Sequence, residues 1–403
     1  MAATHSSCPN WDKRPLSELP PILPSQKHLL TIPASALKVG EEDDVLKVID
    51  ASYVASYNWL ARDKPTILVP GSPPRWAPPV HAPALKQDRG TYFRDKNASQ
   101  YAAYPTEPAV RAIFTMKPDF DGQGIDFFAC GNTMGSLLAF VGERDRTFRF
   151  VAEKVGNTLF LTRKESNPRE TIPHVRGYGH TFPEAYTNWD PACIGSQSHQ
   201  RLVSYSFGGM NLIIRAETDG YLPRKLEDDH PMKVPGKSAA SGNGMDVASA
   251  FARTKAFPDD VPPGLTDSKT LTVCQGGEVL PQESIFDLKT RASHNRIDMN
   301  EIHARLWVSQ APNFIIAYHD RGVFKDVQIK DIQAAVEDWE NDNQEILERL
   351  KEVLTLLNVL AEKQVNGRIE ARRVAKGRLA VWSHPSDDDV LPPELRAKWL
   401  GEK

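Results

Sequence analysis

Residues 201–219, RLVSYSFGGMNLIIRAETD, decide the fold expected for the surrounding chain. Apolar and polar residues alternate over 201–207, and residues 210–215 are almost entirely apolar, so both runs predict β-strands. Gly208 and Gly209 lie between the runs and can adopt the positive φ angles that a two-residue hairpin turn requires. The stretch therefore predicts an antiparallel hairpin whose second strand is buried.

Two carboxylates end the second strand of this hairpin. Glu217 and Asp219 are two residues apart, and alternate residues of a strand point to the same face. Neighbouring carboxylates at the end of a buried strand are unfavourable unless a cation or a proton compensates their charge. A pair of solvated surface acids is the simpler interpretation of one E-x-D triplet, so a functional interpretation needs support from elsewhere in the chain.

The composition is that of a globular protein without a general affinity for nucleic acid. Of the 403 residues 40% are hydrophobic and 25% charged, and the formal net charge is -3, so any nucleic-acid contact must come from a local patch. The four cysteines are scattered and form no C-x-x-C pair. This indicates neither a zinc site nor a disulfide framework, and it favours a reducing intracellular compartment, nuclear or cytoplasmic. The sequence carries no secretory signal pattern and no apolar run long enough to span a membrane, so no membrane partner is expected.

The chain outside the hairpin divides into an N-terminal segment, one large domain and a tail. Residues 1–50 are proline-rich and are predicted to be irregular. Residues 51–365 are predicted to form a single domain, which residues 220–282 interrupt as a partly disordered insertion rich in Gly, Ser, Pro and charge. Residues 366–403 form a tail that is basic at first and then contains proline.

Other elements of the domain follow from hydrophobic periodicity. Further hairpins are predicted at 148–163 and 313–329, and a helix is predicted at 107–116. Apolar residues at helical spacing predict one long helix over 328–362. A membrane or coiled-coil role is an alternative for this helix, but its polar face is mixed in charge, which favours packing against the protein's own core.

Two stretches carry local positive charge. Residues 88–104, DRGTYFRDKNASQYAAY, interleave aromatic rings with cations, a pattern found in nucleic-acid-binding segments and equally in a loop with a packed aromatic pair. The start of the tail is the second stretch, and a solvated face is the default expectation for it, with phosphate contact as the alternative. Its cations are Arg368, Arg372, Arg373, Lys376 and Arg378.

A second carboxylate motif lies on a strand predicted at residues 284–290. Asp287 and Lys289 share one face of that strand. Carboxylates bind Mg²⁺ and Mn²⁺, and these ions activate water and stabilise charge on a phosphoryl group under attack. A lysine orients the water or neutralises the transition state. An E-x-D and a D-x-K on two predicted strands therefore favour a metal-dependent phosphoryl-transfer site, as in the PD-(D/E)XK nucleases.

From about residue 121 to 324 the sequence resembles the DXO family of RNA 5′-end decapping enzymes and exoribonucleases. GIDFFACGNTMGSLL is similar to that family's W-R-G segment, RGYGHTFPEAYT to its G-Y-K-F-E motif and IIRAETD to its E-h-D motif, where h is apolar or small. SIFDLKTRAS is similar to its E-h-K motif, and LWVSQAPNFIIAYHDRGV to its W-x-Q-S…G-F-R-D-x-x-G segment. Five motifs in the same order carry the resemblance.

The resemblance implies an α+β fold with a mixed, largely antiparallel β-sheet nuclease core, which helices flank, and a deep pocket for the RNA 5′ end. It also implies a divalent metal cofactor, Mg²⁺ or Mn²⁺. The implied site residues are the metal ligands Glu184, Asp219 and Asp287 and the catalytic residues Glu217, Lys289 and Gln310. Arg94 and Arg176 are the candidates for substrate binding, in place of the motif arginine that is missing at Gly131.

The function implied by the resemblance is metal-dependent hydrolysis of RNA 5′ ends. The family removes incomplete or non-standard caps, NAD caps in some members, and triphosphates, and some members then digest the RNA in the 5′–3′ direction. The expected partners are the RNA 5′ end and a 5′–3′ exoribonuclease. The alternative is a catalytically degenerate protein that binds RNA ends or an exoribonuclease, while the motif order disfavours a DNA nuclease with the same core.

Four departures from the family pattern support the degenerate alternative. Gly131 stands where the W-R-G arginine is expected, and His319 stands at the arginine of G-F-R-D. Pro183 is inserted directly before Glu184. Asp287 replaces a glutamate, which changes the reach of the carboxylate by about 1.5 Å.

Overall fold

The computed structural model describes residues 19–40, 45–173, 175–223, 269–375, 377–385 and 389–402. The strands in these ranges are β1 (His28–Pro33), β2 (Val48–Leu60), β3 (Thr66–Pro70), β4 (Arg75–Trp76), β5 (Phe127–Cys130), β6 (Phe148–Val155), β7 (Thr158–Arg163), β8 (Thr187–Asn188), β9 (Ser196–Phe207), β10 (Met210–Thr218), β11 (Gly220–Tyr221), β12 (Thr272–Gly276), β13 (Ile285–Ala292), β14 (Asn313–Asp320), β15 (Val323–Asp331), β16 (Arg368–Ala375) and β17 (Arg378–Ser383). The α-helices are α1 (Lys96–Gln100), α2 (Glu107–Met116), α3 (Gly131–Val141), α4 (Thr181–Tyr186), α5 (Met299–Ser309), α6 (Gln333–Asp342), α7 (Gln344–Glu362) and α8 (Pro393–Trp399).

The hairpin expected over residues 201–219 is present as β9 and β10. The two strands pair antiparallel from Phe207 and Met210 at the turn onwards. Gly208 and Gly209 form the turn with φ angles of 57° and 79°, values that disfavour side chains with a Cβ atom. The hairpins predicted at 148–163 and 313–329 are also confirmed, as β6–β7 and β14–β15.

The strands in the described ranges form two mixed sheets. The large sheet has eleven strands in the order β1-β17-β16-β6-β7-β5-β10-β9-β2-β3-β12, and the small sheet has six in the order β15-β14-β13-β11-β4-β8. Most neighbouring strands are antiparallel, and the parallel pairs are β5–β7, β5–β10, β3–β12, β13–β14 and β4–β11. This arrangement confirms the predicted α+β fold with a mixed, largely antiparallel core flanked by helices.

Helices cover both faces of the large sheet. Apolar residues of α3 and α7 pack on one face, together with Trp307 and Val308 of α5, and those of α2 and α8 pack on the other. The other side of α5, with Ile302 and Leu306, packs against β14 of the small sheet. Helix α5 therefore contacts both sheets, which brings it beside the region where the chain crosses between them.

The chain passes from the large sheet to the small sheet at Asp219. Strand β10 ends at Thr218, and β11 begins at Gly220, which pairs with Phe286 of β13. A Cβ atom at Gly220 would lie 2.3 Å from the Phe286 ring, so only glycine permits this close approach. The crossover carries Asp219 to the strand that bears Asp287.

The predicted helix over residues 328–362 is wrong in two respects. Its first residues belong to β15, which pairs with β14 up to Asp331. The remainder is two helices, α6 and α7, separated at Asn343, whose φ and ψ of -115° and 29° are not helical. The expectation that the amphipathic face packs on the protein's own core is confirmed, because the apolar stripe of α7 lies in the main hydrophobic cluster.

Segments near both ends of the described chain contribute to the large sheet, which corrects the predicted separate tail and, for residues 28–33, the predicted irregular segment 1–50. Residues 1–18 and 41–44 of that segment lie outside the described residues. Strand β1 lies within the first fifty residues and pairs with β17, and β16 joins β17 to β6. Arg368 and Arg372 do not form a solvated face, because they are buried beside Glu153 and Glu370. Helix α8 is the last element of the described chain, and its Trp399 is 1% exposed.

The insertion predicted at 220–282 is structured at its two ends. Strand β11 begins it and β12 lies near its end, where β12 pairs in parallel with β3. Its central part, residues 224–268, lies outside the described residues, so the prediction of disorder there stays a prediction. Within the described ranges, none of the helices combines the length and apolar character needed to cross a membrane.

Candidate metal centre

Asp219 and Asp287 meet at the crossover between the sheets. The Leu288 backbone N–H donates to Asp219 Oδ2 over 2.7 Å, which fixes the carboxyl group beside β13. Burial raises the pKa of Asp219 well above its usual value, and the charge and hydrogen bond of Asp287 raise it further. Two carboxyl groups are thus held next to each other at the crossover.

Arg305 of α5 supplies a positive charge at this position. Its Nη2 lies 2.8 Å from Asp287 Oδ1, and its charge opposes the increase in the pKa of Asp219. No sequence motif marks Arg305. One turn further along the same helix, Ser309 lines a groove together with Glu217, Thr218 and Asp287, so this part of α5 borders the site.

Lys289 follows Asp287 on the same face of β13, as predicted. Burial lowers the pKa of Lys289, and the neighbouring charge of Arg305 lowers it further. A half-buried lysine next to an arginine and an aspartate is suited to contact an anionic group, because a substrate phosphate would offset the repulsion between the two cations.

Glu217 is half-exposed and lies in an ion pair with a residue of α1. Lys96 Nζ lies 2.8 Å from Glu217 Oε1, and the two side chains are 43% and 40% exposed. The E-x-D triplet therefore has two different environments. Glu217 is partly solvated and is paired with Lys96, whereas Asp219 is enclosed beside a second carboxyl group.

Residues 41–399 match the family described as a domain of unknown function, DUF8563. The chain belongs to this family. No curated protein matches the DUF8563 chain in sequence.

Solved structures share the fold of the DUF8563 chain. S. pombe Rai1 has a TM-score of 0.55 at 10% identity and covers 88% of this chain and 99% of its own. K. lactis Dxo1, in complex with manganese, has a TM-score of 0.52 at 9% identity, with 89% and 98% covered. Candida albicans Rai1, in complex with pU5 and Mn²⁺, has a TM-score of 0.51 at 11% identity, with 93% and 99% covered. The resemblance to the DXO family is thereby confirmed at the level of the fold.

The side chain of Gln310 is not among those that line the groove beside Asp287 in the DUF8563 chain, and its catalytic role stays a prediction. Its side-chain amide donates to the Trp307 carbonyl, and its φ of 54° ends α5 in a left-handed conformation. Ser309 and Ala311 line the groove on either side of it. The left-handed residue turns the chain so that its neighbours, and not Gln310 itself, face Asp287.

Glu184 is not brought into a three-ligand group with Asp219 and Asp287. In the parts of the chain that the structure describes, no three His, Cys, Asp or Glu side chains are placed to hold one metal ion. Glu184 lies in the short helix α4 directly after Pro183, and its N–H donates to the His180 carbonyl. Its role as a metal ligand stays a prediction.

The two arginines predicted to bind substrate differ in their surroundings. Arg94 Nε lies 2.8 Å from Glu170 Oε1, and its side chain is only 11% exposed. The ion pair therefore ties the loop of Arg94 to the segment that carries Glu170. Arg176 is exposed on the loop that precedes α4. Of the two, Arg176 is the one accessible to a substrate.

The Asp219–Asp287 pair fits a divalent cation. Mg²⁺ is commonly bound by one or two carboxylates, with water and substrate phosphate oxygens as its other ligands. Asp219 accepts from the Leu288 N–H, Asp287 pairs with Arg305, and the two carboxyl groups also share a hydrogen bond. Burial raises the pKa of Asp219, and the neighbouring Asp287 raises it further, a combination that a bound cation would offset.

This pKa shift predicts how the stability of the metal-free protein depends on pH. The folded protein keeps the Asp219 proton at pH values where the unfolded chain has lost it, so stability falls as pH rises from about 4 through the raised pKa. We expect the melting temperature to fall over this window and Mn²⁺ to restore part of the loss at neutral pH. Differential scanning fluorimetry across pH, with and without Mn²⁺, measures both effects.

Asp219→Asn is expected to remove most of this pH dependence and of the Mn²⁺ effect, because the amide neither titrates nor carries charge. Asp63→Asn is the matched control, since Asp63 is exposed in the loop after β2 and its replacement leaves both effects unchanged. An Mn²⁺ effect of the same size in Asp219→Asn and wild type would contradict the metal assignment.

Proposed function

We propose that this DUF8563 protein is a metal-dependent hydrolase of RNA 5′ ends, which removes incomplete or non-standard caps or the 5′ triphosphate in the nucleus or cytoplasm. The observation that carries the proposal is the enclosed Asp219–Asp287 pair at the crossover between the sheets, with the pKa of Asp219 well raised. The fold adds support, because the Candida albicans Rai1 of the same fold is in complex with pU5 and Mn²⁺. Digestion of the exposed RNA in the 5′–3′ direction is part of the proposal.

The charged residues of the proposed centre form two pairs, one that would bind the metal ion and one that would bind the phosphate. A bound Mg²⁺ or Mn²⁺ supplies activation of water and neutralisation of phosphoryl charge. Asp219 and Asp287 bind the ion, and the Leu288 N–H orients Asp219 for this purpose. Lys289 and Arg305 bind the phosphate oxygens and stabilise the charge that builds on them.

Glu217 is the residue of the proposed centre that acts on the attacking water. It lies two residues before Asp219 on the crossover strand, and Lys96 holds one of its oxygens at 2.8 Å. The other oxygen orients the attacking water and accepts its proton. Because Glu217 is partly solvated, it is accessible to the attacking water and placed for this role.

The test is incubation with a panel of RNAs that differ only at the 5′ end. The ends are triphosphate, unmethylated cap, NAD, monophosphate and hydroxyl, each with Mg²⁺, Mn²⁺ or EDTA. We expect metal-dependent release of product from at least one blocked end and none with EDTA. No release from any RNA would overturn the proposal, and equal cleavage of DNA of the same sequence would favour the DNA nuclease.

A second candidate is a non-catalytic protein that binds RNA 5′ ends, alone or with a 5′–3′ exoribonuclease. The observation in its favour is the ion pair between Arg305 and Asp287, which uses a carboxylate oxygen that a metal would otherwise take. The absence of a three-ligand group within the described ranges points the same way. This candidate predicts tight binding of the RNA panel in EDTA and no product with any metal.

A further inference from the structure

The stretch 88–104, with its interleaved aromatic residues and cations, packs beside the candidate metal centre. Helix α1 lies within it, and Lys96 at the start of that helix contacts Glu217. Just before the helix, the Tyr92 ring stacks on the His180 imidazole, with centroids 3.8 Å apart and planes inclined by 9°. Two near-parallel rings at this distance form a flat, partly exposed stack next to the acidic site.

The Tyr92 side of the stack is fixed by backbone hydrogen bonds. The Ile172 N–H donates to the Tyr92 carbonyl over 2.7 Å, and the Arg94 N–H donates to the Glu170 carbonyl over 2.8 Å. Phe93 forms a β-bridge with Thr171 between these bonds. The loop therefore holds Tyr92 in place without help from the rings.

The His180 side is fixed by Asp88. The buried Asp88 carboxylate accepts from the backbone N–H groups of His180 and Thr181 and from the Thr181 hydroxyl. The Asp88 N–H in turn donates to the Gly177 carbonyl over 2.8 Å, which ties the two loops together. Both rings are thus preorganised on separately anchored segments, and a ligand that stacks on them needs little ordering of the protein.

The stack lies near the residues that would handle the phosphate. Burial lowers the pKa of His180, the charge of Lys96 lowers it further, and the charges of Asp88 and Glu217 oppose this change. The imidazole is therefore neutral at neutral pH and within electrostatic range of the Lys96–Glu217 pair. Arg89 and Arg176 are exposed on the two linked loops, where they add positive charge for an RNA backbone.

We infer that the Tyr92–His180 pair forms a stacking platform for the base of the 5′-terminal nucleotide, the nucleotide whose phosphate enters the Asp219–Asp287 site. The base lies on an outer face of the pair, and the ring that it does not touch supports the other ring from behind. Any base has a flat π-face, so the platform binds all four bases. It therefore selects the terminal nucleotide by its place in the RNA and not by its base. The inference rests on the proposed function for the choice of RNA as the ligand, but it concerns binding and needs no hydrolysis.

The test is fluorescence anisotropy in EDTA, where no metal-dependent cleavage takes place. Two 5′-phosphorylated RNAs are compared, one intact and one lacking the base of its first nucleotide. Stacking contributes about 1–3 kcal/mol per base, so we expect wild type to bind the intact RNA about 5- to 150-fold more tightly. Tyr92→Ala and His180→Ala are expected to lose this ratio, whereas Tyr92→Phe and His180→Phe keep it because they keep a flat ring.

The ratio between two RNAs is measured on one variant at a time, so a partly unfolded variant weakens both affinities alike and leaves the ratio unchanged. His28→Ala is the matched control, since His28 is an exposed ring on β1 in contact with Trp382, and it keeps the ratio. Equal binding of both RNAs by wild type, or an undiminished ratio in the alanine variants, would overturn the platform. A protein that keeps the ratio but releases no product in the 5′-end panel would contradict only the proposed hydrolysis.

Discussion

Replacing Asp219 with alanine is expected to slow metal-dependent release of product from RNA 5′ ends by about 100-fold or more. Asp219 is the proposed ligand that the Leu288 N–H orients towards Asp287. A metal ion contributes several kcal/mol of charge stabilisation to the transition state, and about 2.7 kcal/mol corresponds to a 100-fold change in rate. The single-turnover rate with saturating enzyme measures this loss independently of substrate affinity.

Asp287→Ala tests the other side of the same pair. It removes a proposed ligand and also frees Arg305 from its ion pair, so we expect a loss of similar size. Asp63→Asn serves as the control with an unchanged rate, because its exposed side chain lies outside the centre. Unchanged rates in both Asp219→Ala and Asp287→Ala would show that the hydrolytic centre is elsewhere in the chain.

Trp399→Ala is expected to destabilise the protein by about 3–5 kcal/mol, the usual cost of removing a buried tryptophan side chain. The ring is 1% exposed and packs against four phenylalanines, among them Phe160 at a centroid distance of 5.2 Å. Its Nε1 donates to Thr158 Oγ1 over 2.9 Å. The substitution therefore leaves a cavity between α8 and the large sheet and removes one of the hydrogen bonds of the Thr158 hydroxyl. Urea unfolding of the full chain measures the loss.

Trp382→Ala is the matched control for this prediction. The same side chain is removed, but Trp382 lies half-exposed on β17 at the margin of the sheet, where less apolar surface is lost and water fills the space. We expect its cost to be well below that of Trp399→Ala. Equal costs would contradict the view that α8 is an integral part of the domain core.

The sequence was sufficient to predict the elements whose signals are local. The Gly208-Gly209 turn and the apolar run after it predicted β9 and β10, since a hairpin needs only a suitable turn and matched strands. The proximity of Asp219 to Asp287 was also predictable, because each carboxylate stands at a recognisable strand and the order of the motifs implied a shared site. The hairpin follows from a short-range pattern, and the shared site follows from two such patterns together with the order of the motifs.

The features that the sequence did not reveal depend on distant partners. Arg368 and Arg372 were expected in solvent because their charges are clustered, yet Glu153 on β6 and Glu370 on β16 compensate them in the interior. No local pattern contains both members of the first pair. Arg305 was missed for a similar reason, since its contact with Asp287 depends on the packing of α5 between the two sheets.

The pairing of β1 with β17 has a consequence for protein synthesis. His28 lies opposite Trp382, so the first strand must wait on the ribosome until the last strand has been translated. At about 5–20 residues per second the delay is about 20–70 s. Nascent chains that stop before residue 378 leave the edges of β1 and β16 without their partner, and such open edges promote association with other chains. Quality control during translation therefore acts on a sheet that stays unfinished at this edge until β17 has been translated.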